Sequence, residues 1–380
     1  MKIVFVSNFF NHHQSALSDA LWEKTDGDYL FVETAAMPEE RKRLGYPSQE
    51  RPYLLQLQGN ETKVLQKLQE ADVVIAGSAP EWLARRRIQS GKLLFRYAER
   101  PLRHGLEPLK YLPRWLRWHW RNPGNKPIYL LCASAFTAGD YRKFGLFQEK
   151  AYRWGYFPEF REKNISELMV SKTVTQILWC GRFLELKHPE DALRAAWDLK
   201  RQGYRFQLNF IGTGEQESLL NKRVREWELQ SCVCFSGPKT PAQVRLAMEK
   251  AGIFLLTSDR REGWGTVLNE AMNSGCAVIA SHEVGAVPFL VEDGKNGLIY
   301  PSGDVSSLRE KIRFLLEQPG EQTRLGRAAY ETIRDGWTPE IAADRLLELS
   351  QILLSGNKNG SLHRSGPCSP AEEMDEGWYP

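Results

Sequence analysis

Short apolar runs alternate with amphipathic stretches along most of this chain. Lys2–Val6 reads as a buried strand, and the polar Ser7-Asn-Phe-Phe-Asn-His-His-Gln14 follows it. Ala16, Leu17, Ala20 and Leu21 then recur at helical spacing. Further strands are read at Tyr29–Glu33, Ala71–Ala76, Lys92–Tyr97 and Ile128–Cys132, with helical patterns between them. Ser134-Ala-Phe-Thr-Ala-Gly-Asp140 opens another helix. A second series has strands at Gln176–Cys180, Phe206–Ile211, Cys232–Phe235, Ile253–Thr257 and Cys276–Ala280. Such alternation predicts parallel sheets covered by helices on both faces.

The pattern divides the chain into 1–150, a first α/β domain, and 171–337, a second, with 151–170 as the hinge. Thr338–Leu354 reads as a last amphipathic helix. Residues 355–380, rich in Gly, Ser, Asn and Pro, carry no periodicity and read as a disordered tail. The polar stretch 34–60, with its charge cluster Glu39-Glu-Arg-Lys-Arg43, is long for a connection and reads as functional or mobile.

With 380 residues, 42% hydrophobic and 26% charged, the chain suits two cores. No basic N-terminal segment leads into a long apolar run, and no run approaches a spanning helix, so a cytoplasmic protein is expected. The six cysteines are scattered without a C-x-x-C pair. They read as core residues of a reducing compartment. Net charge is only +4, but between Glu81 and Lys126 twelve Lys/Arg face three acids. That local excess of nine leaves the remainder of the chain five negative, so the basic character is a patch.

Within the patch, Lys110-Tyr-Leu-Pro-Arg-Trp-Leu-Arg-Trp-His-Trp-Arg121 holds three tryptophans and four cationic side chains. Rings and cations together suit the interface of an anionic membrane. They would also suit single-stranded nucleic acid, though nucleic acid is not the expected partner. An ordinary helix that buries Trp and solvates Arg remains the alternative.

In a doubly wound domain, loops after the strands point into the ligand crevice. That makes Asn11, His12 and His13, and later Glu99, Arg100 and His104, candidates on an acceptor side. Helix capping by Asn11 or His12, and a surface ion pair at Glu99-Arg100, are the plainer readings.

The second half carries the denser chemistry. Gly181-Arg182 follows a strand directly, Lys187 comes five residues on, and Pro189 opens a helix. Arg and Lys there can clamp a diphosphate. Gly212 and Gly214 follow the next strand, and Gly237-Pro238 the third, where a backbone can approach a base. Glu262-Gly-Trp-Gly-Thr-Val-Leu-Asn-Glu270 brackets seven residues with two carboxylates. Gly263, Trp264, Gly265, Thr266 and Val267 lie between them, leading into a short helix that Gly275 stops. Cations for phosphates and carboxylates for hydroxyls suit a nucleotide-sugar.

Arg182, Lys187, Gly212-x-Gly214, the E-x7-E of Glu262 and Glu270, and Val287–Pro301 resemble the retaining glycosyltransferases of family 4, which have the GT-B fold. The resemblance is specific over about 171–316 and looser before 150. It implies two Rossmann-like domains facing across a cleft, with the last helix packing back. A nucleotide-sugar donor, foremost a UDP-sugar, would be held by the second domain. Arg182 and Lys187 would neutralise the leaving diphosphate, Glu262 would contact sugar hydroxyls, and Glu270 the ribose. No D-x-D motif stands near this site, so no metal and no cofactor are expected. The acceptor would be a glycan or a lipid-linked species. An epimerase or phosphorylase of the same fold, or a non-catalytic nucleotide-sugar binder, are the rival readings. The first half departs from the commonest family pattern, since Asn11-His-His-Gln14 replaces a glycine-rich loop.

Overall fold

The computed structural model describes residues 1–38, 50–356 and 362–380. The cluster Glu39–Arg43 lies outside the described residues. The chain forms two compact units. The first comprises Met1–Glu159 with Gly336–Glu376, and the second Phe160–Asp335 with Gly377–Pro380.

The first unit holds a sheet of β1 (Ile3–Ser7), β2 (Tyr29–Glu33), β3 (Leu54–Gln56), β4 (Val73–Ala76), β5 (Leu94–Ala98), β6 (Ile128–Cys132) and β7 (Ala151–Arg153). Its order is β3-β2-β1-β4-β5-β6-β7, with every pair parallel. Strand order reverses between β1 and β4, so the loops after those strands diverge and leave a crevice. β1 and β4 are buried throughout, as both faces of a parallel sheet require.

The second unit repeats the plan with β8 (Thr173–Cys180), β9 (Gln207–Ile211), β10 (Val233–Phe235), β11 (Ala251–Leu256), β12 (Ala277–Ser281) and β13 (Leu298–Tyr300). Their order is β10-β9-β8-β11-β12-β13, again all parallel. Its switch point falls between β8 and β11. One core runs from Trp179 and Phe210 to Leu308 and Leu325.

Several expectations need correction. Residues 151–153 are not hinge but the edge strand of the first sheet, and Trp154 and Phe157 are buried in that unit. The chain crosses to the second unit after Glu159, where Leu168 and Met169 pack on Tyr330. It returns at Gly336, so the helix Pro339–Ser355 does pack back, against the helix His12–Lys24 of the first unit.

The tail is not disordered over 362–380. The amides of Cys368 and Ala371 donate to Arg153 and Ala151, the Arg153 amide donates to Ser369, and Tyr152 bridges Pro370 antiparallel. The segment therefore covers the open edge of β7, and Cys368 and Ser369 are buried. Composition concealed this because edge pairing uses main-chain groups and needs no side-chain periodicity. All six cysteines are free thiols; Cys234, on the edge strand β10, is exposed, contrary to the core expectation.

Candidate functional site

In the second unit the loops after the strands are joined laterally by main-chain hydrogen bonds. Gly212 N–H donates to Gly237 (3.0 Å), Gly181 N–H to Ile211 (3.0 Å) and Phe183 N–H to Thr213 (2.9 Å). Asp259 N–H donates to Leu186 (2.9 Å), and Ala286 N–H to Trp264 (3.0 Å). The ladder thus continues past the strand ends, from the β10 loop to the β12 loop. It gathers every donor-side candidate along one edge of one sheet.

The glycines serve this bracing more directly than any ligand. A Cβ on Gly212, at φ +139°, would meet the Gly181 carbonyl oxygen, and one on Gly214 would come within 2.7 Å of the Phe183 backbone. Close approach is needed here, as the pattern suggested, but the approaching backbone is the neighbouring loop. Gly265 has φ +85°, and a Cβ there would press Val284 at 2.9 Å. Gly237 also has positive φ, faces open space and lies beside the exposed Pro238.

At the switch point, Lys187 Nζ and Glu262 Oε2 form an ion pair between the β8 and β11 loops. Ser258 Oγ also donates to Glu262 Oε2 (3.2 Å), and Glu262 Oε1 takes no hydrogen bond among the described residues. The Lys187 carbonyl accepts from Thr257 Oγ1 (2.6 Å), whose oxygen accepts from Trp179 Nε1 (2.8 Å). Next to Lys187, His188 is left-handed (φ 46°, ψ 49°) and places Nε2 3.0 Å from Asp259 Oδ2. Burial works to raise the Asp259 carboxyl, but hydrogen bonds from Arg261 and His188 outweigh it and hold it below its ordinary range. Arg182 shares the β8 loop, is exposed, and makes no side-chain hydrogen bond or ion pair among the described residues.

Glu270 lies on the helix Val267–Asn273, preceded by Gly263, Gly265 and the part-exposed Thr266. Desolvation by burial raises its carboxyl pKa, against the opposing influence of Arg245 and Arg161. Its carboxylate takes no hydrogen bond among the described residues. Trp264, expected at the donor, is instead buried and donates from Nε1 to Asn269 Oδ1 (2.8 Å). It anchors the loop from beneath.

Sequence reading missed Ser258, Asp259 and His188. A histidine between Lys187 and a helix-opening proline, and an acid three residues before Glu262, were the available signals.

In the first unit Asn11 caps the helix His12–Lys24, accepting from the His13 amide (2.9 Å), so the plainer reading of Asn11 holds. His12 and His13 lie ring against ring at 3.8 Å. Tyr156 donates to Glu99 (2.9 Å) and Arg103 approaches Glu99 at 3.7 Å. Arg100 is not open to an acceptor. It is buried and held by Asp140 (3.2 Å) and Glu376 (2.5 Å), with Phe136 under its guanidinium. His104 is exposed in a turn.

Residues 160–332 match the family described as glycosyl transferases group 1. The amylovoran biosynthesis glycosyltransferase AmsK of Erwinia amylovora is 30% identical over 183 residues, covering 47% of this chain and 45% of that protein. The putative colanic acid biosynthesis glycosyltransferase WcaL of Escherichia coli K12 is 26% identical over 230 residues, covering 59% and 56%. The chain thus spans about half the length of the curated relatives it matches. Among solved structures, Anabaena HepE in complex with UDP aligns at TM-score 0.69 and 16% identity, covering 92% of this chain and 99% of that one. The lipopolysaccharide outer core galactosyltransferase WaaB aligns at 0.67 and 16%, covering 94% and 99%. At such identities the likeness concerns the fold, which is GT-B with two Rossmann-like domains. Residues 160–332, nearly all of the second unit, thus match the group 1 glycosyl transferases.

Proposed function

We propose that the protein transfers a sugar from a nucleotide-sugar to a glycan or lipid-linked hydroxyl in cell-surface polysaccharide or glycolipid synthesis. The observation that carries this is the pairing of Lys187 with Glu262 across the switch point, with Arg182 on the same loop as Lys187 and without an ion pair among the described residues. A sugar diphosphate needs a positive charge and a hydroxyl acceptor within one reach, and this edge supplies both. HepE was solved with UDP and with UDP-glucose, which favours a uridine donor here.

Breaking the anomeric C–O bond sends the electron pair to the β-phosphate oxygen and leaves positive character on the sugar. Lys187 and Arg182 neutralise the departing nucleoside diphosphate, where charge develops. Glu262 Oε1 accepts from sugar hydroxyls, and Glu270 from the ribose. Attack by the acceptor on the face the diphosphate leaves, with its proton passing to a donor phosphate oxygen, yields the glycoside with retained configuration. Lys187, held by Glu262, and Arg182 supply the neutralisation, so we expect activity without a divalent ion. The membrane's inner face is the proposed location; no helix among the described residues is long and apolar enough to cross a membrane.

The test is incubation of the purified protein with UDP-, GDP-, ADP- and dTDP-sugars, read as nucleoside diphosphate released with and without glycan acceptors. Release from one donor, enhanced by an acceptor and giving an α-linked product from an α-donor, supports the reading. Release of free epimerised sugar, or binding without any turnover, would replace it.

A further inference from the structure

The helix Tyr111–Arg121, in the first unit, has three faces rather than two. One face is internal: Tyr111 stacks on Phe144 (4.9 Å), and Trp118 packs on Tyr141 and Phe144 (4.9 and 4.6 Å), with Trp115 alongside. A second face carries Lys110, Arg114, Arg117 and Arg121, which follow one another at helical spacing. The third is apolar and turned to solvent. Leu112, Leu116 and Trp120 stand at i, i+4 and i+8, with Leu109 one turn before, and they are 62, 55, 54 and 95% exposed.

Aliphatic exposure of this extent on one stripe costs free energy that the fold has no need to incur, and it marks a contact surface. The neighbouring helix Glu81–Gln89 extends it. Trp82 is exposed there, Arg85 sits 3.6 Å over the Trp120 ring, and its Nη1 donates to the Trp120 carbonyl (2.7 Å). Arg86 and Arg117 are exposed without an ion pair among the described residues.

We propose that this face docks on an anionic lipid bilayer. The leucines and Trp120 would enter the boundary between headgroups and acyl chains, and the cationic face would meet lipid phosphates beside it. The charge selects this occupant. A second copy of the chain, meeting the face by two-fold symmetry, would oppose cation to cation. Single-stranded nucleic acid would be read by rings, whereas the outermost side chains here are mostly aliphatic. The inference goes beyond the transfer reading and does not depend on it, because vesicle binding needs neither donor nor acceptor.

Co-sedimentation of the full chain with phosphatidylcholine vesicles, with and without one third phosphatidylglycerol, tests the proposal. Wild type should bind the anionic vesicles, and salt should weaken binding. Leu112→Ser combined with Leu116→Ser should reduce it roughly tenfold or more, with an unchanged unfolding midpoint because both positions are exposed. Arg117→Glu should reduce it too. Leu219→Ser with Leu246→Ser, which removes exposed leucines of the second unit, should leave it unchanged. The proposal is overturned by wild-type protein that stays in the supernatant with anionic vesicles at low salt, or by a double variant that pellets as well as wild type. It is equally overturned if light scattering shows that Leu112→Ser/Leu116→Ser dissolves a dimer while vesicles never bind.

Discussion

Lys187 is engaged by Glu262 in the protein without ligand, and that sets what its substitution should do. On the proposed reading the ammonium is shared between Glu262 and the donor diphosphate, so removing either Lys187 or Glu262 should free the other. Arg182→Ala should cost on the order of 3 kcal/mol in the transition state, and Glu262→Gln a comparable amount, as removal of one charge-stabilising group does elsewhere. Because the pair is coupled, the loss from Lys187→Ala with Glu262→Gln together should fall short of the sum of the singles. A double-mutant cycle on kcat/KM measures this, and strict additivity would separate their roles. Glu270 makes a second prediction. Burial raises its folded-state pKa, so protonation favours the fold. That contribution is complete below the unfolded value of about 4.3 and disappears as pH climbs through the raised folded value. Glu270→Gln should therefore gain in unfolding midpoint over wild type as pH rises from 4 to 8, while weakening the donor. A difference independent of pH would mean the carboxyl is not desolvated.

At the scale of elements, position in a motif did not settle what a residue contacts. Glu262, Lys187 and the helix after Gly265 were legible because spacing alone puts them on strand-end loops. Trp264 and Arg100 were not, since burial decides their roles and burial depends on what packs from afar. Arg100 follows β5 as a ligand contact would, yet its partners are Asp140, forty residues on, and Glu376 from the tail. Arg100→Ala should therefore cost about 3–5 kcal/mol of stability, the usual loss when one partner of a buried pair is removed, rather than raise KM for an acceptor in a folded enzyme. Urea unfolding against acceptor titration distinguishes the two. The tail failed for a different reason: it pairs through its backbone with β7, and composition carries no record of that. A chain ending at Ser355 should unfold at lower temperature, as the β7 edge is uncovered and Glu376 is lost to Arg100.

For the whole molecule, two α/β units in tandem were legible from strand periodicity, whereas their boundaries were not. The chain returns to the first unit at Gly336 and crosses again after Glu376, and no local pattern marks a crossing. We expect the two units to respond separately to a donor. A donor held by the second at a hundred times its dissociation constant should add about 2.7 kcal/mol of stability. If the two unfold as independent transitions, calorimetry with UDP-sugar should move only one of them. A shift shared equally would show that they melt together.

The loops at the second sheet's edge are stitched by main-chain bonds from Gly237 to Gly212, Ile211 to Gly181, and Leu186 to Asp259. Lengthening any one of them would break the register of its neighbours, whereas exchanging an outward side chain such as Arg182 or Pro238 would not. Divergence toward new donors on this scaffold should accordingly proceed by point replacement at constant loop length, and libraries built to alter sugar preference are better randomised than inserted into.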